Sequence, residues 1–461
     1  MRRFALLLLA GAPSLAQAQG FGVYEQNTCT MGRAGVAAAK PCADGSAIYF
    51  NPAGLASLGG NRLSIGTTLI GAQGSFTDDI LGHKTDLDNP IIPVPSVYFT
   101  HSFTPALTAG IGLFVPYGLQ TNWPTEDFEG RFVGYHTDIR SIYIQPTIGY
   151  QVSPKLKLGI GVAYIASRLE LQQRADLSTQ VVPPALAGLL PGLPPGTRFG
   201  TLGIPTGTDF ADAKLNATGS GLAVNFGAIL QITDRFSIGG HWLTRRTIDY
   251  EGDAVFEPVS TDLAVPANIG TCPACVPAGT PVDALLTAQF AAGGALEDGS
   301  VSTSIVMPPQ GSIGFSWRTT DTWTVMADYQ YVVWGWFSSV DIDFANAATP
   351  DLTLHPNNKD THGFRLGTEY QYSNKVQLRG GYLYHTASSP PEFVTPLLPE
   401  GPRNEFTIGA GIELTSKLHA DLGYQYIRQN ARRGLISTTG GNAGLYQFSA
   451  HLFGIGAAFT F

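Results

Sequence analysis

The sequence predicts an all-β fold, a 14-stranded antiparallel transmembrane β-barrel. The final segment, 445–461, alternates large apolar residues such as Phe453 and Phe459 with small or polar ones, and the chain ends on Phe461. A period of two suits a strand that has lipid on one face and a lumen on the other. Charged residues make up only 13% of the chain and aromatic residues 11%, with 55 glycines, which is unusual for a soluble domain. No stretch approaches the roughly 20 apolar residues of a membrane helix, which excludes a helical inner-membrane protein.

The N-terminus predicts export. Arg2 and Arg3 precede a short apolar run, and the small-residue pattern Ala16-Gln17-Ala18 follows it. This is a secretory signal peptide, because the run is too short to span a bilayer. We expect cleavage after Ala18 and location in the outer membrane of a Gram-negative cell. The net charge of −8 argues against nucleic acid as a partner.

Fourteen strands follow from the alternating segments and the turn signals between them. Six tight connections contain the Pro, Asn, Asp and Ser that turns favour, and they are predicted to be periplasmic: 104–105, 153–154, 233–234, 319–320, 373–374 and the vicinity of 416. The other connections are long, which is typical of extracellular loops. The predicted strands are 61–74, 94–103, 106–116, 140–152, 155–172, 216–232, 235–257, 300–318, 321–346, 360–372, 375–387, 404–415, 417–430 and 445–461.

The alternation also assigns faces, because a charge that meets lipid near mid-bilayer costs about 2–4 kcal/mol. In 363–371, Phe364, Leu366 and Tyr370 are predicted to face lipid. The residues predicted to face the lumen include Arg365, Glu369, Arg379, Asp328, Gln330, His241, His385 and Arg245.

The segment between the leader and the first strand resembles the hatch of the FadL family of outer-membrane transporters for long-chain fatty acids and other hydrophobic compounds. The central match is Asn51-Pro52-Ala53-Gly54. Further matches are Glu25-Gln26, Gly32-Arg33-Ala34, Ala37, Asp44, Ser46 and Phe50 before it, and Pro116-Tyr117-Gly118, Trp123, Gly130-Arg131-Phe132, Gly252-Asp253-Ala254, Trp334 and Leu378-Arg379-Gly380-Gly381-Tyr382 after it.

The resemblance implies three regions: a signal peptide (1–18), a hatch that plugs the lumen (19–60) and the barrel with long extracellular loops (61–461). It also implies a monomer that captures ligand at an extracellular groove, passes it to a site in the lumen and releases it sideways into the membrane beside a kinked third strand. Pro116 and Gly118 are candidates for that opening, since Pro lacks a donor and Gly weakens a strand. An ordinary strand end followed by a turn explains them equally well.

Two loop segments, 181–195 and 282–292, are unusually apolar for loops that meet water. We expect them to pack against each other, as a small outer core or as a groove for an acyl chain or an aromatic ring. The candidate groove residues are Leu186, Leu189, Leu190, Leu193, Leu285, Leu286 and Phe290.

For the polar end of a ligand, the candidates are Arg245, Arg365 and Arg379 together with His241, since a guanidinium holds a carboxylate in two-pronged geometry. The alternative is that these cations balance lumenal or hatch carboxylates. Four cysteines in an oxidising compartment suggest two local disulfides, Cys29 with Cys42 and Cys272 with Cys275. The first would stabilise the hatch by about 3 kcal/mol.

The predicted function is uptake of hydrophobic molecules across the outer membrane, with long-chain fatty acids first and aromatic hydrocarbons as the alternative. We expect no cofactor and no metal, and lipid or lipopolysaccharide of the outer membrane as a further partner. A lipid hydrolase embedded in the barrel is the alternative of another class. It would need a serine beside an inward histidine, and neither His241 nor His385 has one by motif.

Overall fold

The barrel wall consists of one antiparallel sheet that closes on itself. The computed structural model describes residues 20–188, 193–269, 275–434 and 443–461. The described strands are β1 (Asn61–Asp78), β2 (Lys84–Asp86), β3 (Ile92–Thr104), β4 (Leu107–Asn122), β5 (His136–Gln151), β6 (Leu156–Asp176), β7 (Asp209–Thr233), β8 (Phe236–Leu243), β9 (Arg246–Pro258), β10 (Gly299–Met307), β11 (Gln310–Arg318), β12 (Trp323–Val332), β13 (Val340–Phe344), β14 (Leu352–Leu354), β15 (Thr361–Gln371), β16 (Val376–His385), β17 (Arg403–Thr415), β18 (Leu418–Gln429), β19 (Arg432–Gly434) and β20 (Gly444–Thr460).

These strands make the 14 crossings that the sequence predicts. Three predicted strands are each present as two consecutive pieces, β8 with β9, β10 with β11 and β12 with β13, while β2, β14 and β19 are short loop strands. The sheet closes where β1 pairs with β20, from Arg62 opposite Thr460 to Asp78 opposite Gly444. The fold class is therefore confirmed.

The six predicted tight connections are confirmed, and all lie at one end of the barrel. β3 and β4, for example, are joined across Thr104 and Leu107, and β17 and β18 across Thr415 and Leu418. The start of the first strand and the end of the last strand also meet at this end of the barrel, where the Phe461 amide donates to the Asn61 carbonyl.

The predicted faces hold along most crossings. Phe364 and Leu366 are each 53% exposed on the outer wall, while Arg365 and Glu369 are buried inside. The prediction for Arg245 is wrong. The register against β7 shifts by one residue between Leu243, which lies opposite Asn225, and Asp249, which lies opposite Ser220. This one extra residue reverses the alternation, so that even-numbered rather than odd-numbered residues of β9 face inward.

The helical segments are short. They are α1 (Thr28–Met31), α2 (Ala47–Phe50), α3 (Pro184–Ala187) and α4 (Val282–Leu286), together with 3-10 turns at Pro52–Ser57, Glu129–Phe132, Leu177–Thr179, Phe199–Leu202, Thr287–Gln289, Trp334–Trp336 and Pro391–Phe393. Among the described residues, no helix has both the length and the apolar character needed to cross a membrane.

Residues 20–58, with α1, α2 and the first 3-10 turn, lie inside the lumen. Their side chains are mostly buried, and Ile48, Tyr49 and Leu55 share one hydrophobic core with inward residues of the wall. Glycines of the wall permit this close approach. A Cβ at Gly159 would lie 2.2 Å from the carbonyl carbon of Pro52, and one at Gly239 would lie 2.2 Å from the Ala38 oxygen. The segment therefore fills the bore below the extracellular loops.

Candidate ligand path through the barrel

Charged side chains of the wall hold the hatch by its backbone and by its cations. Asp328 accepts the amides of Ala37 and Ala38 at 2.7 and 2.9 Å. Glu369 forms ion pairs with both Arg33 and Lys40 of the hatch. Buried charges need such partners, because the cost of removing a charge from water is otherwise not compensated.

Arg365 and Arg379 are also engaged within the protein. Arg365 donates to the Gly35 carbonyl at 3.1 Å and to Gln330, and its guanidinium lies 4.7 Å from the centroid of the Tyr24 ring. Arg379 forms an ion pair with Asp421. Both cations face inward as predicted, but each is already bonded to other residues of the protein.

The other two lumenal candidates lie apart from these. His241 faces inward, with Nδ1 3.5 Å from the Asn225 side-chain oxygen. Arg245, placed outside by the break between β8 and β9, stacks over the exposed Trp336 at 3.9 Å from the ring centroid. Its neighbour Arg246 is the cation that turns inward, and its Nε is buried without a hydrogen bond to another described residue. Arg246 is not predicted to face inward from the sequence, because a single alternation continued through the break places Arg245 there instead.

The matched hatch motif stabilises a turn against the wall. The Asn51 side chain accepts the Ala53 amide and donates to the carbonyls of Ala38 and Ala228 at 2.6 and 3.1 Å. A Cβ at Gly54 would lie 2.6 Å from the Cγ of Pro41. The motif therefore fixes one hatch turn to another and both to β7.

Cys29 and Cys42 form a disulfide within the hatch, with Cα atoms 6.4 Å apart. It closes the loop that carries Arg33 and Lys40. Cys275 is also disulfide-bonded, and Cys272 lies outside the described residues.

The wall has an unpaired gap between β3 and β4. The two strands pair only as far as Val97 opposite Leu113, although β3 runs on to Ile92 and β4 to Asn122. Pairing of β4 with β5 shifts between Phe114 and Tyr117.

Three prolines surround this gap, Pro93 and Pro95 on β3 and Pro116 on β4. Each lacks the amide that a regular ladder needs, and proline is largely confined to strand edges and bulges. Gly118, by contrast, remains paired with Arg140 of β5. Pro116 and Gly118 are predicted from the sequence as candidates for this opening, whereas the two prolines of β3 are not.

Hatch residues occupy the edge of β4 that β3 leaves free. The Val23 amide donates to the Pro116 carbonyl and the Gly118 amide to the Phe21 carbonyl, both at 2.9 Å. The Gln26 side chain donates to the Val115 carbonyl and accepts its amide, both at 2.7 Å. A short piece of the hatch thus stands in for the missing strand partner.

A cavity of about 560 Å³ lies above the hatch, inside the barrel. Its walls come from inward residues of β5, β6, β10 and β13 and from two loops. None of the described residues that line it is Asp, Glu, Lys or Arg. The side chains that form most of its surface include Ile139, Leu169, Leu171, Ile305, Ile342, Leu352, Leu354, Phe393 and Leu397. A concave, mostly apolar space is typical of a site for a hydrophobic ligand.

A smaller cavity of about 200 Å³ lies between that space and the gap in the wall. Ile92 and Gly118, on the two sides of the gap, line it, and so do the charged residues Glu25, Glu400 and Arg403. Arg403 lies with Nε 3.5 Å from a carboxylate oxygen of Glu405. Arg403 begins β17 and belongs to no motif, so it is not among the cations predicted from the sequence.

Phe21 separates the two cavities. It lines both of them, together with Leu119 and Leu398. Its ring makes edge contacts with Tyr117, Trp334 and Phe337, with centroids 6.0, 4.8 and 5.3 Å away. Phe21 of the hatch, with Leu119 and Leu398, thus lies between the apolar cavity and the cavity beside the gap.

The two apolar loop segments pack together outside the membrane. Leu186 and Leu286 are buried in one small core with Phe199 and Phe210, and Leu193, Leu285 and Phe290 pack against it partly exposed. Leu189 and Leu190 lie outside the described residues. Asp283 ties α4 to this region by accepting the amide and hydroxyl of Thr261 at 3.0 and 2.6 Å. Although partial burial opposes it, these hydrogen bonds hold the pKa of Asp283 below its usual value.

Comparisons with known proteins agree with this architecture. Residues 9–461 match the model of a family described as outer membrane protein transport protein (OMPP1/FadL/TodX). Outer membrane protein P1 of Haemophilus influenzae is 22% identical over 444 residues, which cover 92% of this chain and 88% of that protein. The crystal structure of a Pseudomonas aeruginosa FadL homologue is similar with a TM-score of 0.79 at 18% identity, covering 96% of this chain and all of that one. The Pseudomonas putida toluene transporter TodX gives a TM-score of 0.68 at 19% identity, covering 97% and 99% of the two chains.

Proposed function

Because the chain belongs to the OMPP1/FadL/TodX family of outer membrane transport proteins, we propose that it takes up long-chain fatty acids through the apolar cavity above its hatch. Transport of hydrophobic compounds across the outer membrane is the activity of the family. The observation that carries the choice of ligand is the size and lining of this cavity. A cavity of about 150 Å³ already accommodates benzene, so a space of about 560 Å³ suits a long chain better than one aromatic ring.

The proposed path runs from the outer loops to the apolar cavity, past Phe21 and out through the gap between β3 and β4. The partly exposed Leu285 and Phe290 on the loop core supply the apolar surface for capture. The gap lies beside the smaller cavity, and the hatch residues that border it are held there by two backbone hydrogen bonds to β4 and by the side chain of Gln26. Release is therefore sideways into the membrane and needs only a local displacement of residues 20–26.

In this proposal, Arg403 receives the carboxylate of the fatty acid. It is the cation among the described residues that line the two cavities. Arg365 and Arg379 hold the hatch and the wall, and Arg245 lies outside. Charge-assisted hydrogen bonds to a guanidinium are among the stronger polar contacts, so loss of Arg403 should affect an acid and not a hydrocarbon.

The proposal is tested by measuring uptake of radiolabelled oleate and toluene. The strain has the chromosomal gene deleted and expresses the wild-type protein or a variant from a plasmid. Leu171→Trp places a larger ring in the apolar cavity, and we expect it to reduce oleate uptake severalfold. Gln172→Trp, the next residue on the same strand and on the outer wall, is the matched control and should leave uptake unchanged.

Arg403→Ala distinguishes the substrates. For fatty acids, we expect roughly tenfold weaker oleate uptake at limiting concentration, the loss of one charge-assisted contact, with toluene uptake unchanged. If Arg403→Ala takes up toluene at the wild-type rate, and oleate uptake is the same with and without the protein, aromatic hydrocarbons are the substrate. Equal uptake by the Leu171→Trp and Gln172→Trp variants would count against the cavity as the path.

A further inference from the structure

The outer wall carries a second pocket, which borders the smaller cavity of the transport path at Gln429, Phe448 and Ser449. It holds about 560 Å³ and lies on the lipid-facing side, where β18 diverges from β20. The pairing of β18 with β20 stops at Arg428 opposite Ser449, and resumes with Arg432 of β19 opposite Tyr446. Residues 430 and 431, between β18 and β19, lie outside the strands, and this creates the concave surface.

The rows of paired residues below the pocket cross the edge of the membrane. The lowest row consists of Leu69, Phe453 and Tyr424 on neighbouring strands, and Leu69 and Phe453 are 40% and 57% exposed. Paired residues project on the same side of a sheet, so this row belongs to the apolar band.

The next row upward is Gly71, His451 and Tyr426. His451 Nδ1 lies 2.8 Å from the Tyr424 hydroxyl, and the rings of His451 and Tyr426 are 5.0 Å apart. Aromatic residues with a polar tip mark the membrane–water interface of such barrels.

The third row is Gln73, Ser449 and Arg428, with Ser75 and Gln447 above it. Three successive rows thus change from apolar through aromatic to polar. The pocket lies in the polar rows, at the height where the head groups of the outer leaflet begin.

The polar groups of the pocket are free to bind a ligand. The side chains of Gln73, Arg428 and Gln447 make no hydrogen bond or ion pair with any other residue that the structure describes. Asp86, the carboxylate of the pocket, is paired with Lys84 at 2.6 Å. The site therefore combines amides, hydroxyls and a tyrosine ring with one uncompensated positive charge.

We propose that this pocket binds the phosphorylated disaccharide head group of the outer-leaflet glycolipid, lipid A of lipopolysaccharide. The amides of Gln73 and Gln447 and the hydroxyls of Ser449 and Tyr426 match the donors and acceptors of a sugar. Arg428 provides the cation for a phosphate, to which a guanidinium binds in forked geometry. The acyl chains would continue down the apolar row at Phe453.

Another part of the rim supplies the control. Arg140 and Arg168 lie opposite each other on β5 and β6, above the apolar band and exposed. Each is already paired with a carboxylate of its own strand, Asp138 and Glu170 respectively. A cation in this state has little charge left for a phosphate.

Native mass spectrometry of the purified full-length mature protein, titrated with bisphosphorylated lipid A, tests the proposal. We expect Arg428→Gln to weaken the apparent affinity about tenfold, as for loss of one charge-assisted contact, and Gln447→Ala to weaken it less. Arg168→Gln should bind like the wild type. Dephosphorylated lipid A should bind the wild type and Arg428→Gln equally.

Three results would overturn the assignment. They are an Arg428→Gln affinity equal to that of the wild type, a loss in Arg168→Gln as large as that in Arg428→Gln, and phosphatidylglycerol that competes as well as lipid A. Heat-modifiable migration on gels confirms that each variant is a folded barrel. Oleate uptake by Arg428→Gln should equal that of the wild type, so failure of this site and failure of the transport path are distinguishable.

Discussion

At the scale of single residues, buried charges connect the hatch to the wall. Arg33 is fully buried, and the Glu369 carboxylate serves both it and Lys40. Asp328 accepts hydrogen bonds from two backbone amides of the hatch. Replacement of one partner leaves the others desolvated without compensation, which costs more than the pair itself contributes.

Glu369→Gln should therefore loosen the hatch. Loss of one partner in a buried ion pair costs about 3–5 kcal/mol, and this applies to the buried Arg33, whereas the partly exposed Lys40 remains solvated. We expect faster hydrogen exchange of the amides in residues 28–40, measured by mass spectrometry, with the barrel strands unaffected. Glu413→Gln is the control, since Glu413 is half exposed and pairs with His419 at the same end of the barrel. Equal exchange in the two variants would contradict a structural role for the Glu369 ion pairs.

The sequence predicts most of these inward charges, because alternation is a local rule and the strands that carry Asp328, Arg365 and Glu369 are regular. It fails at Arg245, where one extra residue between β8 and β9 reverses the alternation, and it gives no signal for Arg403. The position of Arg403 beside a cavity depends on the approach of the hatch and two loops. Such contacts between distant segments leave no trace in a local pattern.

At the scale of elements, the decisive feature is a strand edge that changes partners. Above Leu113, β4 pairs with hatch residues 21–23 instead of β3. Pro93 and Pro95 remove donors from β3 over this stretch, so the two wall strands cannot form a regular ladder. The hatch segment then satisfies backbone groups that would otherwise be left unpaired in the barrel.

Restoring the missing donors should close the gap. We expect the double variant Pro93→Val and Pro95→Val to let β3 pair with β4, to displace the hatch segment from that edge, and to reduce oleate uptake severalfold. Pro146→Val is the control, because Pro146 lies on the outer face of β5, opposite Ile111, where the pairing with β4 is continuous. Unchanged uptake in a double variant that folds into a heat-modifiable barrel would place the exit elsewhere.

The strand boundaries follow from the sequence to within a few residues at the tight turns, where Pro, Asn, Asp and Ser interrupt the alternation. They are less well predicted at the other end. The predicted strands 235–257, 300–318 and 321–346 are interrupted at Arg245, at Pro308-Pro309 and at Trp334. Pro308 and Pro309 explain the interruption between β10 and β11. The neighbouring strands are interrupted at the same height, since Gln310 pairs with Leu243 on one side and with Val332 on the other.

At the scale of the whole molecule, the barrel and its hatch divide the bore into compartments. A charged space at the tight-turn end, lined by Lys40, Glu369 and Arg379, lies below the hatch, and the apolar cavity lies above it. Between them, hatch and wall share one hydrophobic core. A solute in the apolar cavity therefore finds the bore below it filled by the hatch. Its route out leads past Phe21 to the gap in the wall.

This division predicts a low ionic conductance that rises when the hatch is released. In planar bilayers, we expect the wild type to show little conductance for KCl, because ions gain nothing in an apolar cavity and find the bore filled. The double variant Asp328→Asn and Glu369→Gln removes both wall carboxylates that hold the hatch, and its single-channel conductance should rise severalfold. Asp341→Asn, at an exposed position of β13 outside this contact, is the control for the loss of negative charge. A large, steady conductance in the wild type would mean an open aqueous pore, and the hatch would then not direct solutes to the side of the barrel.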